Sequence, residues 1–249
     1  LTTDQIEALT TEQVAKLTTD QIVALSSTQA PKLSAQQIAA LSTTQVSKLG
    51  VDNLKVLSYD AIEALSVSQA KALSSTQVRA LTSAQFKHLG TSAIAALASD
   101  RIVNLTNDQV AAITTDQMQA LTTSQIANLS STQLAKLTTT AVGVMSASQV
   151  KAIDSAGIAN LTTDQVKAIR ADAMSGLSSA QISQLVATSQ VKALTTAQVN
   201  ALNSAQLQAL DSAQMSNMTT SQVAAINALQ VKGIDSDDLN SLSAEQIQA

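Results

Sequence analysis

The chain opens on three versions of one eight-residue phrase: LTTDQIEA at residues 1–8, LTTEQVAK at 9–16 and LTTDQIVA at 17–24. The phrase continues to residue 249, so that thirty octads and one nine-residue variant account for the whole sequence. We number the octad from its leucine, which places Leu1 at position 1 and Ile6 at position 6. A sequence filled by one short repeat predicts a repeat architecture, in which each unit is buried by its neighbours.

Positions 1 and 6 carry the apolar pattern. Position 1 is always Leu, Ile or Met, and position 6 is always Ala, Val, Ile, Leu, Met or Phe. One continuous helix cannot bury both positions, because eight residues at about 100° each rotate the apolar stripe by about 80° per octad. A flat strand would point the two positions to opposite faces. We therefore expect a short helix in each octad, with a β-solenoid as the alternative.

Three signals place the start of each helix. Ser or Thr at position 2 and Gln at position 5, such as Thr2 and Gln5, have the spacing of a capping box. Acidic residues favour position 4, near the positive end of a helix dipole, and basic residues favour positions 7 and 8, near the negative end. The second half of the octad is rich in helix-forming residues. The sequence thus predicts an all-α solenoid of about 31 helices of about six residues, joined by one- or two-residue corners.

The unbroken repeat predicts one elongated body over residues 1–249, which we expect to be a fragment of a longer array. The repeat changes phase once, at residues 185–193, where Val186 or a neighbour is an extra residue. We expect a bulged corner there. Pro31 at position 7 removes a helical N–H group and is expected to loosen its own octad.

Composition limits the partners. The chain has no cysteine, so disulfides and thiolate metal sites are excluded and either redox environment is compatible. Its net charge is −4 and its basic residues are dispersed, which argues against nucleic acid as a partner. No apolar run approaches the roughly 20 residues of a membrane span.

The residues that most resemble site residues have simpler explanations. His88 is the only histidine and has no second ligand or base nearby in the sequence; Tyr59, the only tyrosine, lies far from it in the sequence. Asp235, Asp237 and Asp238 lack the glycine and closing glutamate of an EF-hand loop. We predict no catalytic, cofactor or metal site, and no enzyme. All five methionines fall at position 1 or 6, as core residues would: Met118, Met145, Met174, Met215 and Met218. Four Asn-x-Ser/Thr sequons follow from the repeat itself, and they begin at Asn104, Asn128, Asn160 and Asn217.

Glutamine at position 5 has a further feature. It occurs in 23 of the 31 repeats, and Glu, which would also complete a capping box, never replaces it. This bias indicates a partly buried side chain that cannot tolerate a charge. We hypothesise a ladder of amides that bond between successive coils through both their donor and their acceptor atoms.

The phrases LTTDQI at Leu1, LTTSQI at Leu121 and LTTAQV at Leu194 resemble octapeptide-repeat tracts of very large secreted bacterial surface proteins, often labelled haem utilisation or adhesion proteins. The resemblance covers the whole chain and implies an extracellular or cell-surface setting. It favours a structural rod, stalk, adhesin shaft, or filament or sheath component, which associates with itself or packs laterally with other copies or surface components, with glycans as a further possible partner. The alternative is a binding module whose repeated groove captures a polymer or a partner protein. A binding module should concentrate unusual residues on one solvent-exposed face.

Overall fold

A computed structural model describes residues 1–249 and contains helices but no strands. It has one helical segment for each repeat: 28 α-helices, two 3₁₀ helices and one π-helical turn. The predicted all-α solenoid is confirmed, and the β-solenoid alternative is wrong. The chain divides into two compact units, Leu1–Asn128 and Leu129–Ala249.

The first unit contains fifteen α-helices of four to six residues and one 3₁₀ helix. The 3₁₀ helix, Ala30–Lys32, takes the place of the α-helix in the octad that contains Pro31. The α-helices are Thr3–Glu7, Thr11–Ala15, Thr19–Val23, Ala35–Ala40, Thr43–Ser47, Val51–Lys55, Tyr59–Glu63, Val67–Ala72, Ser75–Ala80, Ser83–Lys87, Thr91–Ala96, Ser99–Ile102, Asn107–Ala111, Thr115–Ala120 and Thr123–Ala127.

The second unit repeats this arrangement with thirteen α-helices, a π-helical turn at Ala187–Val191 and a 3₁₀ helix at Val231–Gly233. Its α-helices are Ser131–Leu134, Thr139–Gly143, Ala147–Ala152, Ser155–Asn160, Thr163–Ala168, Ala171–Met174, Ser179–Ile182, Thr196–Ala201, Ser204–Gln208, Ser212–Ser216, Thr220–Ala224, Ser236–Ser241 and Ala244–Ile247.

The helix starts follow the predicted capping box. In the octad at 73–80, the Ser74 hydroxyl accepts from the Gln77 N–H at 3.2 Å, and the Gln77 amide oxygen accepts from the Ser74 N–H at 2.9 Å. Leu73 and Ser74 both have extended backbone, with ψ of 134° and 164°. No residue has a positive φ, so these extended residues make the corner without a left-handed cap. Corners between neighbouring α-helices have at least two residues, where we expected one or two, because positions 1 and 2 are both non-helical.

Within each unit, helices pack against the helix three octads further along the chain. Thr11–Ala15 packs on Ala35–Ala40 in the first unit, and Thr139–Gly143 packs on Thr163–Ala168 in the second. Positions 1 and 6 form the core between these coils, as predicted, and all five methionines are buried in it. A fully buried Leu or Val side chain contributes roughly 1.5–3 kcal/mol, so one octad depends on its neighbours for stability.

The phase change lies inside a helix. The Val191 N–H donates to the Val186 carbonyl at 3.1 Å, a five-residue step that defines a π turn. The expected bulged corner is therefore incorrect, since the extra residue is taken up by the helix. As a result Gln190 and Val191 keep the buried places that position 5 and position 6 occupy elsewhere.

Close backbone approach restricts two residues of the second unit. A Cβ atom on Gly176 would overlap the backbone of Ala147, and one on Gly233 would overlap the backbone of Ser204. Position 8 is usually Ala, so these glycines mark the places where successive coils come closest. No helix in either unit is both long enough and apolar enough to cross a bilayer.

Candidate functional site

The glutamine at position 5 joins successive coils. Gln109 is only 1% exposed, and its amide oxygen accepts from the Thr106 N–H at 2.9 Å. Its amide nitrogen donates to the carbonyls of Val78 and Leu81, both at 2.8 Å. One side chain therefore satisfies a backbone donor at the start of its own helix and two backbone acceptors in the preceding coil. We call this arrangement a glutamine joint.

The joint recurs along both units. In the first unit the amide donates to position 6, 31 residues earlier, and to position 1, 28 residues earlier, at 2.8–3.1 Å. These separations lie between three and four octads, which gives the length of one coil. The glutamines that make the joint in the first unit are Gln37, Gln45, Gln69, Gln77, Gln85, Gln109, Gln117 and Gln125.

The second unit shows how the joint survives the phase change. Gln165, before the π turn, bonds to carbonyls 31 and 28 residues earlier. Gln198 bonds to Val166 and Ile169, 32 and 29 residues earlier, because the extra residue now lies within its coil. The separation returns to 31 and 28 at Gln222. The bonding partners stay equivalent while the sequence spacing changes.

These contacts confirm the hypothesis of an amide that bonds between coils, with two corrections. Its partners are backbone carbonyls and not other amides, and only its donor reaches the preceding coil, because its acceptor bonds within its own octad. They also explain why Glu is absent. A carboxylate can accept from the N-cap N–H, but it has no proton to give to the two carbonyls. It would place a buried charge beside the negative ends of two C=O dipoles, which is strongly unfavourable.

Substitutions at position 5 fall into two groups. Asn53 and Arg101 keep one donor: the Asn53 amide bonds to the Leu25 carbonyl at 2.8 Å, and the Arg101 Nε bonds to the Leu73 carbonyl at 3.1 Å. The other group has no side-chain donor and cannot form a joint: Ala61, Ala93, Ala141, Gly157, Ala173 and Asp238. Most residues that replace glutamine at position 5 are thus either uncharged or able to donate a hydrogen bond.

Asp238 is the exception, since it puts a carboxylate where the amide should be. It is 4% exposed and accepts from the Ser212 hydroxyl at 3.0 Å. Burial raises its pKa, the Ser212 hydrogen bond opposes that rise, and the neighbouring carboxylates of Asp235, Asp211 and Asp237 add to it. The octad of Asp238 therefore lacks a glutamine joint and is attached less strongly to the preceding coil.

Two residues that the sequence separates are brought together. Tyr59 and His88 lie in neighbouring coils of the first unit, and their rings stack with centroids 4.6 Å apart and planes 2° from parallel. Because 29 residues separate them, the sequence predicts no contact between them. Their separation in the sequence is close to the 28 and 31 residues that the glutamine joints span. Knowing the number of residues per coil would therefore have placed the two rings side by side.

The sequon asparagines use their side chains locally. The Nδ2 groups of Asn104, Asn160 and Asn217 donate to the carbonyl four residues earlier, at 2.7–2.9 Å. The hydroxyl two residues after each of them is the N-cap acceptor of the following helix. The sequon residues thus have a structural role in the repeat.

Part of the octad tract matches the ALTTAQ repeat. Three segments match this family model, residues 72–107, 94–131 and 187–220. Residues 193–198 read ALTTAQ letter for letter, and Gln198 at the end of this hexad makes a glutamine joint. In this chain the hexad therefore contains the corner, the N-cap and the joint residue. No curated protein matches the chain.

Proposed function

We propose that the chain is a non-enzymatic structural repeat protein that spans distance outside the cell, as a rod, a stalk, an adhesin shaft, or a filament or sheath component. The observation that carries this proposal is the glutamine joint, repeated with the same atoms along each unit. The resemblance to repeat tracts of very large secreted bacterial surface proteins supports the extracellular setting.

The joint suits a protein that must resist extension. Each buried hydrogen bond between coils contributes about 0.5–1.5 kcal/mol net, and leaving its acceptors unpaired costs more. Pulling the coils apart would break two such bonds per octad and expose the core residues at positions 1 and 6. Resistance is thus distributed along the array, with weaker places at Ala61, Ala93 and Asp238.

Single-molecule extension with optical tweezers tests this role. We expect the 249-residue chain to unfold in several discrete steps, because coils that lack joints separate first. Gln109→Glu should lower the force of the steps that belong to the first unit. Gln13→Glu is the matched control, since Gln13 is exposed and makes the capping box without an inter-coil bond. Extension like that of an unfolded polymer from the start would contradict the proposal.

The setting and the partners need separate tests. Antibody labelling of intact source cells should detect the chain without permeabilisation, and labelling only after permeabilisation would contradict an extracellular role. The Ser- and Thr-rich surface suits lateral packing between copies or attached glycans. Analytical ultracentrifugation should show concentration-dependent association, and mass spectrometry of the native protein should show whether sugars are attached.

A binding module is the second candidate function. It is favoured by one observation, the grouping of Tyr59, Glu63 and His88 on one surface of the first unit. Tyr59 and His88 depart from the small and hydroxyl-bearing residues that usually occupy positions 3 and 8 of the octad.

A further inference from the structure

The only tyrosine and the only histidine of the chain share one exposed surface. Tyr59 is 48% exposed, and the His88 side chain is 43% exposed. The Glu63 carboxylate lies 4.0 Å from the His88 Nδ1. Tyr59 and Glu63 belong to the helix Tyr59–Glu63, whereas His88 is the C-cap of Ser83–Lys87 in the neighbouring coil. We call Tyr59, Glu63 and His88 the tyrosine patch.

The repeat itself does not require these residues. Tyr59 stands at position 3 and His88 at position 8, where the regular octad at 73–80 has Ser75 and Ala80. Ser58 makes the N-cap bond of the Tyr59 helix, so the tyrosine takes no part in capping. Stacking two rings contributes about 0.5–1.5 kcal/mol, which burial of one more aliphatic side chain would match.

A groove of about 450 Å³ lies beside the patch. Tyr59 lines it together with Lys55, Ser58 and Thr82. The Lys55 ammonium pairs with Asp52 at 3.1 Å, but both side chains are more than half exposed, so the pair is weak and the ammonium can bond to a ligand. The groove thus combines an aromatic ring, a cation and two hydroxyl-bearing residues.

This combination narrows the ligand class. A polyanion would need several basic groups, and Lys55 is the only basic residue lining the groove. A sugar ring has an apolar face that packs on an aromatic side chain, while its hydroxyls accept from an ammonium and from the hydroxyls of Ser and Thr side chains. The groove volume falls in the range of small-ligand sites, about 300–1,000 Å³.

We propose that the tyrosine patch and its groove bind a saccharide, with Tyr59 as the ring platform, Lys55, Ser58 and Thr82 as hydrogen-bond partners, and His88 holding the tyrosine ring in place. His88 covers one face of Tyr59, so it acts as a positioning residue. The inference goes beyond the structural role, because it adds a specific ligand site to one place on the solenoid.

Ligand-observed saturation-transfer NMR on the whole chain tests this proposal. The probes are linear tetrasaccharides of β-1,4-N-acetylglucosamine, β-1,4-glucose and α-1,4-glucose. At least one should receive saturation from the protein, and Tyr59→Ser should abolish that transfer. The chain has one tyrosine and no tryptophan, so intrinsic emission reports on Tyr59 alone and should change saturably with the same sugar.

Matched variants separate binding from folding. His88→Ala should weaken binding at least about fivefold while leaving far-UV circular dichroism unchanged, because it restores the residue of a regular octad. Val67→Ser is the control, since Val67 occupies position 3 of the next octad and is 41% exposed; it should bind as the parent chain does. No transfer to any of the three sugars, or equal transfer to Tyr59→Ser, would overturn the proposal.

Discussion

Replacing one buried joint residue by its acid provides the strongest test of the glutamine joint. Gln109→Glu keeps the size of the side chain and its acceptor toward the Thr106 N–H, but removes the donor to Val78 and Leu81. An uncompensated buried charge costs about 3–5 kcal/mol. Gln109→Met removes both donor bonds and also the acceptor toward the Thr106 N–H, adds no charge, and should cost about 1–3 kcal/mol.

The acid variant should also respond to pH in a defined direction. Burial beside two carbonyls raises the pKa of the introduced glutamate above its usual value of about 4.3. Its destabilisation relative to the parent chain is full at neutral pH and decreases as the pH falls through the raised pKa, because the protonated acid can donate to one carbonyl. Gln109→Met should show no such dependence.

Hydrogen exchange with mass spectrometry is the suitable assay, since a repeat array need not unfold in one step. Protection should fall most for the amides around residues 74–81 and 106–113, which the joint connects. Gln13→Glu, in which the capping box can still form, should change stability by less than about 0.5 kcal/mol. Equal protection in Gln109→Glu and the parent at neutral pH would refute the joint as a source of stability.

Three further predictions concern other departures from the repeat. Gly176→Ala should destabilise the second unit by about 1–3 kcal/mol in urea unfolding, because the added methyl overlaps backbone, whereas Gly143→Ala should be neutral or stabilising. Asp238→Gln should restore a joint and raise the melting temperature at neutral pH. Since the pKa of Asp238 is raised, the advantage of this variant should shrink as the pH falls, and a constant difference would contradict the assignment. Deletion of Thr188 should be tolerated, because it converts the π turn into a regular octad, whereas deletion of Ala197 should lower the unfolding midpoint.

The local structure could be predicted from the sequence because nearly every octad repeats the same capping and core residues. Thr2 and Gln5 form the predicted capping box, and Leu81 and Val78 take the predicted core places. The inter-coil role of glutamine was also predictable, since the absence of Glu indicates that the side chain is buried and must donate hydrogen bonds. These features depend on contacts within one octad or on the chemistry of one side chain.

The arrangement of the coils was not predictable in the same way. The number of octads per coil follows from small backbone rotations at each corner, and the octad pattern is the same for many values of those rotations. The stacking of Tyr59 on His88 depends on that number, so it was missed. The π turn was missed for a different reason. An extra residue can be accommodated either in a corner or within a helix. Its placement within the helix keeps Gln190 and Val191 buried.

Nearly identical octads create an ambiguity during folding, because a coil displaced by one octad would still find carbonyls for most of its glutamines. Gly176 removes part of this degeneracy. Only a residue without a Cβ fits against the backbone of Ala147, and the residues one octad away, Ala168 and Gln184, both carry one. Exceptions in the repeat such as Gly176 therefore select one register of neighbouring coils in the second unit among many similar registers.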